Sequence, residues 1–355
     1  MRALDTSAEG KLRCEGSSLL DRLSADWLRL TGEPAGRFRL MKVSSRPGQN
    51  LPILFFLFRE GASRPDYALK VNRNPEYPDA ILREFRNYSA IYARAGGSGL
   101  SMPRPLFCAP VGSHVVLCET VVPGRRCEDR YFSVRRGWWR RRAVERFLGQ
   151  AVTWAREFHL RTRVGAPAVD RSALDAEFIR PLADFADRPQ VDRGTRSRLA
   201  AFADRLPRLI GMRRPVTAVH GDFDHGNILF EKDQISVVDW EDCEPEGDPF
   251  VDLAYLIFHL ALVSDLSADR RRRLRAFFDP RSWSFELTRR VLDDYATALD
   301  LDPALFWLAL PGTVVEILTR DYGPERDPRS IQLYSPDMLD FTLELAARET
   351  GHGRP

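Results

Sequence analysis

The chain has 355 residues, an apolar share of 44%, 29% charged residues and a formal net charge of +3. That suits a folded protein of two lobes with real cores, and it argues against disorder and against a polyelectrolyte that would bind nucleic acid through bulk charge. No apolar run is long enough for a transmembrane segment, the longest being Leu253 to Val263 with His259 inside it; the N-terminus has no secretory core, and five cysteines without metal-ligand spacing fit a reducing cytoplasm.

Residues 1–16 are polar and read as loose, and Ser18 to Leu30 reads as an amphipathic helix lying on a small lobe. Phe38 to Val43 and Ile53 to Phe58 read as strands, joined by a turn from Ser44 to Asn50. Backbone amides near Gly48 and a hydroxyl such as that of Ser44 could meet a phosphate there, although no Gly-x-Gly-x-x-Gly is present. Lys70 lies on the strand-like run Asp66 to Val71. The chain has only four lysines among 53 basic residues, so lysine at this position is a marked choice. An ammonium on a flexible stem suits a phosphate oxygen; the plainer reading is an edge-strand lysine facing water. Ile81, Phe85 and Tyr88 share one helical stripe, and Glu84 lies on the same helix, whereas Pro75 and Pro78 place Glu76 in a loop.

Val115 to Val122 reads as a buried strand running into the Pro123-Gly124 turn. Val144, Phe147, Leu148, Ala151, Trp154, Ala155 and Phe158 recur at helical spacing, so residues 138–160 form a long helix, with His159 near its end as a packed or capping side chain. Thr195 to Ile210 reads as another helix. His220-Gly-Asp-Phe-Asp-His-Gly-Asn227 follows, broken by its glycines into a loop. Ile228-Leu-Phe230 and Ile235 to Val238 then form a hairpin. Asp222 and Asn227 precede its first strand and Asp239 follows its second, so all three reach one end of the hairpin. Single Asp and Asn residues are common turn formers. Together on this frame they suit phosphoryl transfer, in which one carboxylate orients or deprotonates a hydroxyl while an amide and a second carboxylate hold magnesium against nucleotide phosphates.

This segment resembles the catalytic core of the aminoglycoside phosphotransferase and choline kinase superfamily, relatives of protein kinases, over roughly residues 38–260. The resemblance implies an α+β, bilobal protein-kinase-like fold, with a small antiparallel β-rich N-lobe and a larger, mainly helical C-lobe. Residues 1–37 would be an extension with a helix, 38–122 the nucleotide-binding lobe and hinge, and 123–355 the helical lobe with the acceptor site. It implies ATP and Mg2+ as cofactors, Asp222 as catalytic base, and Asn227 and Asp239 as metal ligands. Lys70, paired with an acid on the following helix (Glu84, or less well Glu76), would hold nucleotide phosphates under the Ser44–Gly48 turn. Backbone groups between Glu119 and Val122, with Glu119 and Val121 as candidates, would meet adenine. Asp248-Pro-x-x-Asp252 also resembles the family, and Asp252 would brace the catalytic loop. Asp239 is followed by Trp240 and Glu241 rather than Phe-Gly, a departure from protein kinases that fits a small-molecule acceptor. The implied activity is transfer of the γ-phosphoryl group to a hydroxyl of an aminoglycoside-like antibiotic, amino alcohol, sugar or other metabolite. The alternative is an inactive nucleotide-binding scaffold acting through protein partners.

The acidic run from Glu241 to Asp248 has two readings: a solvated loop with helix-capping acids, slightly preferred, or a cleft wall attracting a cationic acceptor. Arginines at 135–142, interleaved with Trp138 and Trp139, read as a solvated helix face, with peripheral membrane contact as the weaker reading. A metal-dependent hydrolase is disfavoured, because His220 and His225 lack a clustered histidine pair.

Overall fold

Alternating apolar residues build the first sheet. The computed structural model describes residues 6–44, 52–76, 78–97, 99–126, 138–263, 269–321 and 336–351, with backbone alone for 6–18, 44, 138–140, 320–321 and 336–337. The described chain divides into two compact units: 1–93 with 102–122, and 94–101 with 123–355.

In the first unit, β1 (Phe38–Ser44), β2 (Ile53–Arg59), β3 (Tyr67–Val71), β4 (Pro105–Val111) and β5 (His114–Thr120) form an antiparallel sheet ordered β1-β2-β3-β5-β4. β3 is central and buried along its whole length. β4 has no counterpart in the sequence reading, because Pro105 and Pro110 bracket it and proline depresses the strand signal. It is an edge strand, where a missing N–H is tolerated.

Helix α1 runs from Thr6 to Thr31, so the stretch expected to be loose is helical from Thr6 onward; Ala8, Glu9, Lys11 and Leu12 are strong helix formers. Its described part buries Leu23 and Trp27 among Phe38, Tyr67 and Phe107. Helix α2 (Asp79–Ala95) buries Ile81 and Tyr88 of the expected stripe, with Phe85 half-buried, and buries Ile91 a turn further on.

The second unit is mainly helical. Helix α3 (Trp138–Thr162) buries the predicted series from Val144 to Phe158. Helix α4 (Arg171–Leu174) passes through a π-turn, Asp175–Ile179, into α5 (Arg180–Ala186). The single helix expected over Thr195–Ile210 is two pieces, α6 (Arg193–Ala203) and a 3₁₀ turn at Leu206–Leu209. Pro207 supplies no amide to continue the α-helical ladder, and it takes the first turn of the 3₁₀ segment instead.

The expected hairpin forms. Strands β8 (Ile228–Glu231) and β9 (Gln234–Val237) pair with Ile228 opposite Val237 and Phe230 opposite Ile235, turning at Lys232 with φ +56°. Strand β6 (Arg125–Arg126) adds to its edge. Strand β7 (Thr217–Val219) pairs with β10 (Glu244–Gly247), so the acidic run is partly a strand and not a loop throughout. Glu-Pro-Glu-Gly has little strand propensity, and pairing with β7 decides its conformation. Helices α7 (Pro249–Val263), α8 (Arg270–Phe277), α9 (Trp283–Leu299), α10 (Ala304–Asp321) and α11 (Pro336–Gly351) follow. Among the described residues no single helix is long and apolar enough to cross a membrane.

Candidate active site

Two groups of functional side chains stand out, one in each unit. In the first, Lys70 is 6% exposed on β3 and Glu84 is 3% exposed on α2. The Lys70 Nζ donates to Glu84 Oε1 at 2.6 Å. Lys70 is therefore not an edge lysine facing water, since β3 has neighbours on both sides, with Leu54 and Leu117 opposite it. Burying both charges is costly unless they are paired. Glu76 is exposed on a turn and has no part in the pair. The backbone of Ser44 ends β1 opposite Leu54, while Gly48 lies outside the described residues.

At the far end of β5, Glu119 is buried and sits opposite Ala68. The Thr120 amide donates to the Arg104 carbonyl and the Val121 amide to the Asp66 carbonyl. Sheet pairing thus occupies two amides of the expected adenine-binding segment. The Val121 amide is therefore already engaged.

In the second unit the loop between β7 and β8 carries Asp222 and Asn227. Gly221 has φ +81°, and a Cβ there would run into the Asp242 carbonyl, so glycine is required on both counts. Asp224 Oδ1 accepts the amides of Gly226 (2.7 Å) and Asn227 (3.2 Å), a side-chain turn that shapes the loop. Asn227 Nδ2 donates to the Asp222 carbonyl (2.9 Å) and to Asp222 Oδ2 (3.0 Å). Burial pushes the Asp222 carboxyl above its ordinary pKa; the charge of Asp224 adds to this, and His220 and His259 pull the other way. A carboxylate so raised is a stronger proton acceptor. The Val238 amide bonds the Asn227 carbonyl, extending the hairpin ladder to the point where Asp239 leaves it with φ +67°. Asp tolerates this left-handed conformation better than most residues.

Phe223 and Trp240, both fully buried, pack with Trp154 and Phe158 and anchor the loop. His220 Nε2 lies 3.0 Å from the Val238 carbonyl, and the Asp222 amide donates to Nδ1 at 3.3 Å. A carbonyl only accepts, so Nε2 carries the proton and Nδ1 receives the amide. Asp252 fulfils the expected bracing role: 1% exposed, it accepts the amides of His220 (2.9 Å) and Gly221 (3.0 Å) and the Nε2 of His159 (3.0 Å). Burial alone would raise its pKa, but the His159 hydrogen bond and charge, helped by His220, hold it below the usual carboxylate value. His159 is thus a bonded brace, more than a cap.

A carboxyl lowered on folding stabilises the fold above its unfolded pKa of about 3.9, and that contribution disappears as pH falls through the lower folded value. Urea unfolding of Asp252→Asn against the parent should show a deficit of about 3 kcal/mol, equal at pH 7 and pH 5 and narrowing below about pH 4. A deficit independent of pH would mean that charge is not what Asp252 contributes.

A cavity of about 730 Å³ lies in the same unit. Glu244, Glu246 and Asp248 line it together with Glu177, Asp184 and Glu316, against two arginines, and Phe178 and Phe185 face it. Arg214 bonds Asp248 at 3.2 Å and also bonds Glu177. Asp248 accepts the Phe250 amide as a helix cap, as expected, while Glu244 and Glu246 are cavity wall. Of the 135–142 stretch, 135–137 lie outside the described residues; Arg141 packs over the Trp283 ring and bonds Glu145. Among the described residues no group of three or more His, Cys, Asp and Glu side chains could hold a metal by itself.

Sequence reading missed Asp224, His259 and Tyr295. Asp224 carries a local signal, an Asp two residues before a glycine; the other two depend on tertiary packing and have none.

A family model described as "Phosphotransferase enzyme family" matches residues 55–296. No curated protein sequence matches the chain. Among solved structures, a Thermobifida fusca protein assigned as a fructosamine-3-kinase is similar at 17% identity, TM-score 0.56, with 92% of this chain and 98% of that one covered. A thermostable mutant of aminoglycoside phosphotransferase APH(4)-Ia in a ternary complex with ADP and hygromycin B is similar at 15% identity, TM-score 0.53, covering 93% and 99%. An amicoumacin kinase in complex with AMP-PNP, Ca2+ and Ami matches at 14% identity, TM-score 0.53, covering 95% and 96%. The fold is that of these kinases.

Proposed function

Because the chain belongs to the phosphotransferase enzyme family, we propose that it transfers the γ-phosphoryl group of ATP to a hydroxyl of a small molecule, with Asp222 as the base. The observation that carries this reading is the loop ahead of β8, where Asn227 Nδ2 bonds Asp222 Oδ2. That bond ties the carboxylate to the Asn227 amide, whose oxygen would serve as a hard ligand. Asn227 and Asp239 together would hold magnesium, which when bound neutralises charge on the nucleotide phosphates. Two protein ligands fit an ion that keeps several waters and takes its other oxygens from phosphate.

Lys70, held by Glu84, binds phosphate oxygens as a point charge. Asp222 orients the acceptor hydroxyl for in-line attack and takes its proton late. Most of the rate comes from positioning and charge compensation. An inactive scaffold would have no use for this pair and the Asp222–Asn227 bond together.

The acidic cavity beside β10, whose lining includes none of Asp222, Asn227 and Asp239, would attract an acceptor that carries amines through its field. Its six acids outnumber its arginines, and Arg214 is itself held by Glu177 and Asp248. Neighbours of this fold have been solved with hygromycin B and with Ami bound beside a nucleotide. The test is magnesium-dependent ATP consumption against a panel of amines, sugars and antibiotics. Consumption should rise with hydroxylated amines, and the rise should weaken with salt as screening grows. A response to neutral sugars alone would remove the amine from the proposal, and no response with any acceptor or with water would leave the scaffold reading.

A further inference from the structure

Asp252 holds the two amides ahead of Asp222, and its own position is set by a buried chain of hydrogen bonds from two other helices. His159 Nε2 on α3 bonds Asp252 Oδ2 at 3.0 Å, the Tyr295 hydroxyl on α9 lies 2.5 Å from His159 Nδ1, and the same hydroxyl lies 3.2 Å from the Pro249 carbonyl at the start of α7. None of the three side chains is more than 1% exposed. Three helices far apart in sequence thus converge on one carboxylate.

One proton can be assigned. An ionised Asp252 only accepts, so His159 carries its proton on Nε2. Nδ1 shares a hydrogen bond with the Tyr295 hydroxyl, which also donates to the Pro249 carbonyl. Burial and the Asp252 charge both hold that hydroxyl in its protonated form. Removing the hydroxyl leaves Nδ1 buried without its partner, which is costly in a dry interior. The imidazole then loses the bond that fixes its tilt, and Asp252 loses a firm partner.

We infer that Tyr295 and His159 are positioning residues for phosphoryl transfer, acting through Asp252 on the His220 and Gly221 amides and so on the placement of Asp222. This rests on Asp222 being the base, as proposed above. Neither residue touches the reacting groups, so their effect belongs in turnover and not in nucleotide affinity.

The test uses the full chain with Tyr295→Phe, His159→Ala and His159→Gln. Glutamine can donate to Asp252 from Nε2 and accept from Tyr295 through Oε1, so it replaces both bonds where alanine replaces neither. Three quantities are read: γ-phosphate release from magnesium ATP, to water or to whichever acceptor the panel identifies; KM for ATP; and amide exchange at His220 and Gly221 relative to β3. Tyr295→Phe should lower kcat about 10-fold, less than the roughly 100-fold that a 1 Å misplacement can cost, with KM for ATP unchanged. Exchange at His220 and Gly221 should accelerate while β3 keeps the parent rate. His159→Gln should recover most of what His159→Ala loses in kcat. Parent-like turnover in Tyr295→Phe overturns the inference. So does slower turnover with unaltered exchange, faster exchange with unaltered turnover, or equal losses in His159→Gln and His159→Ala. If a variant fails to fold, the remaining two decide. Failure of the base assignment shows separately, as full activity in Asp222→Asn.

Discussion

Asp222→Asn should lower phosphoryl transfer by at least about 100-fold while nucleotide affinity stays close to that of the parent, as expected from the lower end of general-base contributions. The amide keeps the shape of the carboxylate, and its oxygen can still accept from Asn227 Nδ2, so the loop should keep its form. What it cannot do is take the hydroxyl proton. The raised pKa of Asp222 sharpens the contrast, because the parent carboxylate is a better proton acceptor than an exposed one. Transfer kinetics and a nucleotide titration on the same preparation measure both halves of the prediction. Turnover at the parental rate would place the base elsewhere. Loss of nucleotide binding together with unfolding would make Asp222 a structural residue.

Lys70→Arg should cost about 100-fold in turnover although the charge is kept. The Nζ of Lys70 is fixed at 2.6 Å from Glu84, on a strand enclosed by β2 and β5. The guanidinium is wider and presents its donors in a rigid fork, so the phosphates it meets are displaced, and a displacement of about 1 Å is enough for that loss. Glu84→Gln should give a smaller loss of the same kind, since it loosens the lysine without removing it. Steady-state kinetics of both variants decide the matter, with urea midpoints taken alongside because breaking a buried pair costs about 3 kcal/mol or more. A parent-like Lys70→Arg beside a dead Glu84→Gln would mean that another group holds the phosphates.

The hairpin, the loop before it and the Lys70–Glu84 pair were legible because each rests on local pattern. β-branched and apolar runs flank the polar turn at 231–234, glycines punctuate the loop, and lysine is rare in an arginine-rich chain. Glu84 followed from the family resemblance, which calls for an acid on the helix after Lys70, together with the helical spacing of residues 81–88. β10 was not legible, because Glu244-Pro-Glu-Gly247 is a strand only by virtue of β7. Nor was the commitment of the Val121 amide, which depends on Asp66, a residue far away in sequence. Tyr295 illustrates the same limit: a tyrosine on an amphipathic helix reads as core, and only packing brings its hydroxyl to His159. The break between Ala203 and Leu206 could have been anticipated from Pro207.

Position 221 separates what is selected for folding from what is selected for chemistry. Its positive φ and the closeness of the Asp242 carbonyl are properties of the chain path, not of any reaction. A library randomised at 221 and 222 and screened only for soluble, folded protein would return glycine at the first position and a spread of small polar residues at the second. The same library screened for turnover would narrow the second position to aspartate and leave the first as it was.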